Sequence, residues 1–277
     1  MHKETVKREL WRIIKLLLLM WLLNGVFTIL GGGVLGFHDL SSGMSKEARE
    51  QHLEHSDFML WMDALDSLLV IAVFVYYKYV KISMGRLRRQ SYNTMWTATI
   101  VAALIAVCLR FIDGAFNILL NYDVLFAEDM KELEEAYAPG SESLIGFLAF
   151  DILAPIVEEI AFRGVLLRGM LKMRLRPWVA IVISAFIFAF LHGTNMQLLT
   201  IFIPGIILGW LYWHTKSIVP GMIVHIMNNS ICGSLGYFQF GDGGSEPTQR
   251  SVLITCLVIY AIFVPLLLYC INWYKKH

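Results

Sequence analysis

The chain is short of charge. Asp, Glu, Lys and Arg make up 16% of its 277 residues, against about a quarter in an ordinary soluble domain, which excludes a normally solvated globular surface. Proline is sparse, at 7 residues, and no proline-rich or other low-complexity tract interrupts the sequence, so no long linker and no second soluble domain are expected. The four cysteines, Cys108, Cys232, Cys256 and Cys270, all fall in apolar runs. They form no C-x-x-C pair and no Cys/His zinc spacing. Free cysteines in such surroundings pack as small apolar side chains, and no structural disulfide is expected. There is no internal repeat and no H-E-x-x-H metalloprotease motif. The net charge of +1 gives no sign of a nucleic-acid partner.

What is present is hydrocarbon. Hydrophobic residues are 57% of the chain and the mean hydropathy is +0.60. Several stretches of about 20 residues carry almost no charge, the length a helix needs to cross a bilayer core about 30 Å thick. The pattern predicts an all-α fold: a polytopic membrane helix bundle with about eight transmembrane helices over 13–36, 58–80, 96–120, 143–170, 177–194, 196–213, 218–235 and 251–273, forming one transmembrane domain over 1–277. The basic start (Lys3, Lys7, Arg8, Arg12, Lys15) followed by an apolar run resembles a signal peptide. The uncharged run from Leu16 to Phe37 exceeds a signal core, however, and no A-x-A-like site follows, so a retained first span is expected. The short connection around Gly193-Thr194-Asn195 predicts a tight hairpin between the fifth and sixth spans.

Charge asymmetry orients the bundle. With both termini cytoplasmic, the inner segments 1–15, 78–95, 168–176, 214–217 and the C-terminal tail hold 17 of the 23 Lys and Arg. The outer segments hold only Lys46, Arg49, Lys131 and Arg250, as the positive-inside rule requires. The outer loop 121–142 is acidic and is read as solvated. The compact chain, with little outside the bilayer, points to a bacterial plasma membrane, with membrane lipid as its surroundings. Nothing in the sequence fixes an oligomeric state.

Ionisable groups inside spans are costly, rare and usually paired or functional. Arg110 and Asp113 are three apart on one face of the third span and read as a self-neutralised structural pair. Asp63 and Asp66 fit a position near the outer interface. Asp151 lies two turns above Glu158 on roughly the same face, where it could line an entrance. The fourth span reads Pro155-Ile156-Val157-Glu158-Glu159-Ile160-Ala161-Phe162-Arg163. Adjacent glutamates point about 100° apart on a helix. Arg163 follows Glu159 by four residues, the favourable order for a glutamate–cation pair, which leaves Glu158 free to handle a proton. Pro155 is expected to kink the helix above the pair. The fifth span carries Phe188-Ala-Phe-Leu-His192, and the seventh carries His225 and Asn229 four apart on one face. At a rise of 1.5 Å per residue, Glu158, His192, His225 and Asn229 lie about 18, 22, 12 and 18 Å in from the cytoplasmic ends of their spans, in one slab.

Together, E-E-x-x-x-R, F-x-x-x-H and H-x-x-x-N on successive spans resemble the motifs of the CAAX-protease and bacteriocin-processing family (CPBP, also called Abi), and all three match without a departure. The stretch from Gly205 to Tyr212 and the stretch from Ser217 to His225 also look like the family, so the resemblance covers about 143–233. It implies an intramembrane endopeptidase acting on a membrane-associated peptide or protein: a CAAX-type C-terminus, a peptide pheromone or a bacteriocin precursor. It further implies that Glu158 and His192 activate the attacking water, that His225 and Asn229 stabilise the oxyanion, and that Glu159 with Arg163 supports the site. Hydrolysis of an amide needs a base for the water and donors for the developing oxyanion, and no Ser or Cys beside a histidine suggests a covalent nucleophile. No cofactor is expected by similarity to eukaryotic members, which resemble a metal-free glutamate mechanism. A zinc site built from Glu158, His192 and His225 stays open, since two histidines and a carboxylate are a catalytic zinc set. Two further readings compete: a non-catalytic membrane protein conferring bacteriocin immunity or regulating a sensor partner, and a proton-coupled transporter, which the lack of repeats and broken helices disfavours.

Overall fold

The computed structural model describes residues 2–54, 56–76, 96–97, 99–105, 107–108, 144–192 and 195–240, with single positions at 128 and 265. Every regular element among them is helical. Helix α1 runs His2–Ser41, α2 Lys46–Glu54 and α3 Asp57–Tyr76. A continuous helical run over 144–172 forms α4, followed by α5 at Pro177–Phe190, α6 at Asn195–Thr215 and α7 at Val219–Phe240. The expected Arg110–Asp113 pair, the acidic loop apart from Glu128, the turn residues Gly193 and Thr194, and the last span apart from residue 265 lie outside the described residues.

Helix α1 is longer than the apolar run that predicts it, because the basic segment before that run continues the same helix. Among the described residues, Lys3–Ser41 is the one stretch long and apolar enough by itself to cross a membrane, while Pro177–Phe190 and Ile201–Thr215 are shorter apolar helices. Most of α1 turns large apolar side chains outward, among them Trp21, Ile29 and Phe37. Its inner side packs on α3 and on the end of α4, where Ile13 and Leu16 join Val70, Phe74, Val165 and Leu167 in the main core. At its start Glu9 is buried and accepts from Lys172 Nζ at 3.4 Å, tying α1 to the end of α4. Burial holds the Lys172 ammonium below its ordinary pKa, with Glu9 opposing that shift.

Asp66 is buried, and Asn24 of α1 donates Nδ2 to its Oδ2 at 3.3 Å, a polar contact between two apolar helices. In the last turn of α1, Asp39 is also buried. It accepts from His52 Nδ1 at 2.9 Å and from His38 Nδ1 at 3.1 Å. The hydrogen bond from His52 is the main cause of a carboxyl pKa below the usual aspartate range, and it fastens α2 back onto α1.

The centre of the molecule is α4, whose path is unusual. Two segments of it, Phe147–Leu153 and Glu159–Leu167, are wound as π-helix, separated by one short α segment, Ala154–Glu158. Such widened turns are rare and gather at functional sites. At Pro155, where a kink is expected, the winding changes from π to α. At the end of the first π segment the Ala154 N–H donates to the Ala149 carbonyl, five residues back. The next residue is proline, which has no N–H to give. The helix therefore stays continuous while the Phe150 carbonyl is left without its backbone donor. Helices α5 and α6 form an antiparallel hairpin against α4. Gly205 lies so close to α5 that a Cβ there would stand 3.1 Å from the Ala185 Cβ. Helix α7 begins where Ser217 Oγ accepts the Val219 N–H at 3.2 Å, with Pro220 in the first turn, where its missing N–H costs nothing.

Candidate active site

The second π segment of α4 opens with Glu159. Its carboxylate and the Arg163 guanidinium are both almost wholly enclosed, at 0% and 1% exposure. Arg163 Nη1 donates to Glu159 Oε1 at 2.7 Å and Nη2 donates to the Gly205 carbonyl at 3.1 Å. The guanidinium carbon also sits 4.7 Å from the centre of the Phe188 ring, a cation–π contact. Two buried charges survive desolvation only when paired with good geometry and further hydrogen bonds, and Arg163 meets that condition on three sides. The α5–α6 close approach at Gly205 is what brings the second carbonyl within reach.

Glu159 has a second donor. His225, on α7, places Nδ1 3.1 Å from the same Oε1. The arginine partner keeps Glu159 an acceptor, so the His225 Nδ1 carries the hydrogen. His192 sits just past the last residue of α5 and is fixed in the same sense. Its Nδ1 lies 2.7 Å from the Phe188 carbonyl four residues back, which can only accept, so this Nδ1 is protonated too. Both imidazoles therefore turn Nε2 toward one point, where Glu158 stands. His192 Nε2 is 3.8 Å from Glu158 Oε1, and His225 Nε2 is 3.6 Å from Glu158 Oε2. Both separations exceed a direct hydrogen bond and suit a bridging water. Glu158 is half-buried and His192 partly exposed, whereas Glu159, Arg163 and His225 are buried. Adjacent glutamates thus occupy opposite surroundings: one locked into an ion pair, one at the mouth.

Asn229, one turn beyond His225, donates Nδ2 to the Phe150 carbonyl at 3.4 Å. This is the carbonyl that Pro155 leaves without a backbone donor, so the proline of α4 creates the acceptor that orients an asparagine of α7. The Asn229 Oδ1 accepts from Asn228 Nδ2 at 3.4 Å. The second N–H of the Asn229 amide is not used by either contact.

Of the six residues singled out from the sequence, Glu158, Glu159, Arg163, His192 and His225 are therefore brought together, while Asn229 lies one turn beyond His225 and contacts the Phe150 carbonyl rather than any of the other five. Asp151 is half-buried one segment above, and no contact ties it to them. Two further contributors lie outside that set of six. Phe188 is a hub: besides Arg163, its ring meets His192 edge-on at 4.6 Å and His225 at 5.8 Å between centres. It was visible as the first letter of F-x-x-x-H. Gly221 faces Glu159; the sequence marks it only as part of the family-like stretch from Ser217 to His225, with no role of its own.

A two-histidine, one-carboxylate donor set has the chemistry of a zinc site. Its present spacing is wider than the edge of a tetrahedron with metal–ligand bonds of about 2.0–2.1 Å, which is ~3.4 Å. Among the described residues no three His, Cys, Asp or Glu side chains converge closely enough to hold a metal ion.

Residues 140–231 match the family model described as type II CAAX prenyl endopeptidase Rce1-like. The match takes in α4, α5, α6 and the half of α7 that bears His225 and Asn229. It leaves out α1–α3. No curated protein and no solved structure matches the chain. The chain thus carries an Rce1-like domain of the CPBP family, a family of membrane-embedded CAAX-type proteases.

Proposed function

We propose that this Rce1-like chain is an intramembrane endopeptidase that hydrolyses a peptide bond of a membrane-associated peptide or protein by water activated at Glu158. The observation that carries the reading is the convergence of two Nε2 atoms on Glu158, each imidazole held from behind through its Nδ1–H. Glu158 and His192 hold the attacking water between them, and Glu158 takes its proton as the oxygen bonds to the scissile carbonyl carbon. The carbonyl oxygen gains the negative charge and meets the spare N–H of Asn229. Glu158 passes the water's proton on to His225 Nε2, 3.6 Å from its Oε2, and the Nε2–H so formed faces the same oxygen while Glu159 still accepts at Nδ1. The C–N bond breaks as that proton returns through Glu158 to the leaving amine, giving one new carboxylate and one new amine.

In this reading no metal takes part, and the chain is one transmembrane domain of about eight spans in a plasma membrane, bacterial by its compactness, with both termini cytoplasmic and the catalytic core at about 143–233. The substrate class is a CAAX-type C-terminus, a pheromone or a bacteriocin-related peptide. The test is zinc content and peptide cleavage measured on the same purified protein, with and without a chelator. Stoichiometric zinc lost together with cleavage would overturn the metal-free mechanism. A membrane immunity or regulatory role without catalysis is favoured instead if Glu158→Gln folds normally and keeps the biological function.

A further inference from the structure

Glycine is less favourable in a helix than alanine, yet Gly221 sits in the first turn of α7, buried, with no positive φ to demand it. A Cβ built there would lie 2.7 Å from Glu159 Oε2 and 3.4 Å from its Cδ, closer than real Cβ atoms approach an oxygen, and among the described residues beyond its own helix the three nearest atoms all belong to Glu159. Glu159 Oε2 is itself enclosed and has no hydrogen-bond partner among the described residues. The missing side chain is therefore the space this oxygen occupies.

We propose that Gly221 is a positioning residue that sets the tautomer of His225 through Glu159. Both donors to Glu159 act on Oε1, Arg163 at 2.7 Å and His225 at 3.1 Å. A methyl group at 221 pushes Oε2, and the carboxylate must turn or withdraw by several tenths of an ångström. The shorter, charge-assisted arginine bond holds, and the longer one to His225 gives way. His225 then loses the acceptor that keeps its hydrogen on Nδ1, and a tautomer with the hydrogen on Nε2 becomes populated. The inference deepens the catalytic reading above and rests on it only in treating His225 as part of the machinery. Its test does not involve catalysis.

The full chain, labelled with ring-15N histidine and purified in detergent micelles, is compared by 15N–1H correlation with Gly221→Ala, Glu159→Asp and the double variant, at a fixed pH. The His225 signals are assigned by their loss in His225→Gln. The wild type should show His225 protonated at Nδ1, and Gly221→Ala should move a clear fraction of the signal to the Nε2-protonated form. In the Glu159→Asp background, where the carboxylate is one methylene shorter, adding Gly221→Ala should change nothing. An unaltered His225 signature in Gly221→Ala overturns the proposal, as does an alanine effect of equal size in the Glu159→Asp background. If Gly221→Ala alone does not fold, the comparison of Glu159→Asp with the double variant decides. Two folded proteins with the same signature support the proposal. Loss of folding on adding alanine to Glu159→Asp means the methyl group meets something other than Glu159 and refutes it.

Discussion

Replacing Arg163 by Met exposes how the site is held together. The guanidinium is enclosed and makes three contacts: Glu159 at 2.7 Å, the Gly205 carbonyl at 3.1 Å and the Phe188 ring at 4.7 Å. Methionine fills much of the volume and makes none of them. Removing one partner of a buried pair typically costs about 3–5 kcal/mol, because the other charge is left uncompensated. The Gly205 carbonyl can still accept within its helix, so its loss adds at most about 1 kcal/mol. The diagnostic arm is the double replacement Glu159→Leu with Arg163→Met. Exchange of a whole buried ion pair for apolar side chains is often close to neutral in stability, so most of the single-variant loss should be recovered, less a cost on the order of 1 kcal/mol for the His225 N–H that loses its acceptor. Unfolding by titration with a denaturing detergent in mixed micelles measures each variant. A single-variant loss under about 1 kcal/mol, or a double variant that is worse than the single, would refute the argument that Glu159 and Arg163 are a mutually compensating pair.

Other outcomes follow from the same geometry. Pro155→Ala restores a backbone donor that competes with Asn229 for the Phe150 carbonyl; cleavage should fall, with Asn229→Ala setting the limit at about 10²–10³-fold, the usual effect of losing one oxyanion donor. Steady-state kinetics on both variants checks this, and full activity in Pro155→Ala would contradict the coupling. Arg174, with φ 64, and Lys216, with φ 55, hold left-handed positions after the ends of α4 and α6; replacing either by Gly should raise stability by about 1 kcal/mol, read by the same unfolding titration. Asp39 has a carboxyl pKa lowered in the folded protein, so its contribution is fully present above the unfolded value of 3.8 and is lost as pH falls below it. Hydrogen exchange of α2 should therefore quicken below that pH in the wild type, and Asp39→Asn should exchange quickly at neutral pH as well.

Much of the site was legible because intramembrane charge is so constrained. Glu158 and Glu159 could not be neighbours in an apolar helix without a reason, and the four-residue step to Arg163 identified which of them is paired. The i, i+4 spacing of Phe188 and His192 also has a local physical cause: it puts the imidazole over the Phe188 carbonyl near the end of α5. What the sequence could not express was contact across helices. Nothing near Asn24 in the sequence indicates that it meets Asp66. Pro155 reads as a kink, whereas its effect is to free one carbonyl for an asparagine far along the chain. Gly221 carries no signal of its contact with Glu159, because the oxygen that fills its missing Cβ belongs to another helix. The π windings of α4 have no sequence mark that the helical period alone would reveal.

The most direct test of the central claim is cleavage in 18O-labelled water. Purified protein in liposomes is given a prenylated CAAX peptide and its unprenylated counterpart, and the products are analysed by mass spectrometry for the wild type and for Glu158→Gln. The account predicts a new C-terminus carrying one 18O from a single turnover, cleavage unaffected by a chelator, and a fall of about 10²–10⁴-fold in Glu158→Gln with folding unchanged. Cleavage at the wild-type rate in a well-folded Glu158→Gln would contradict it.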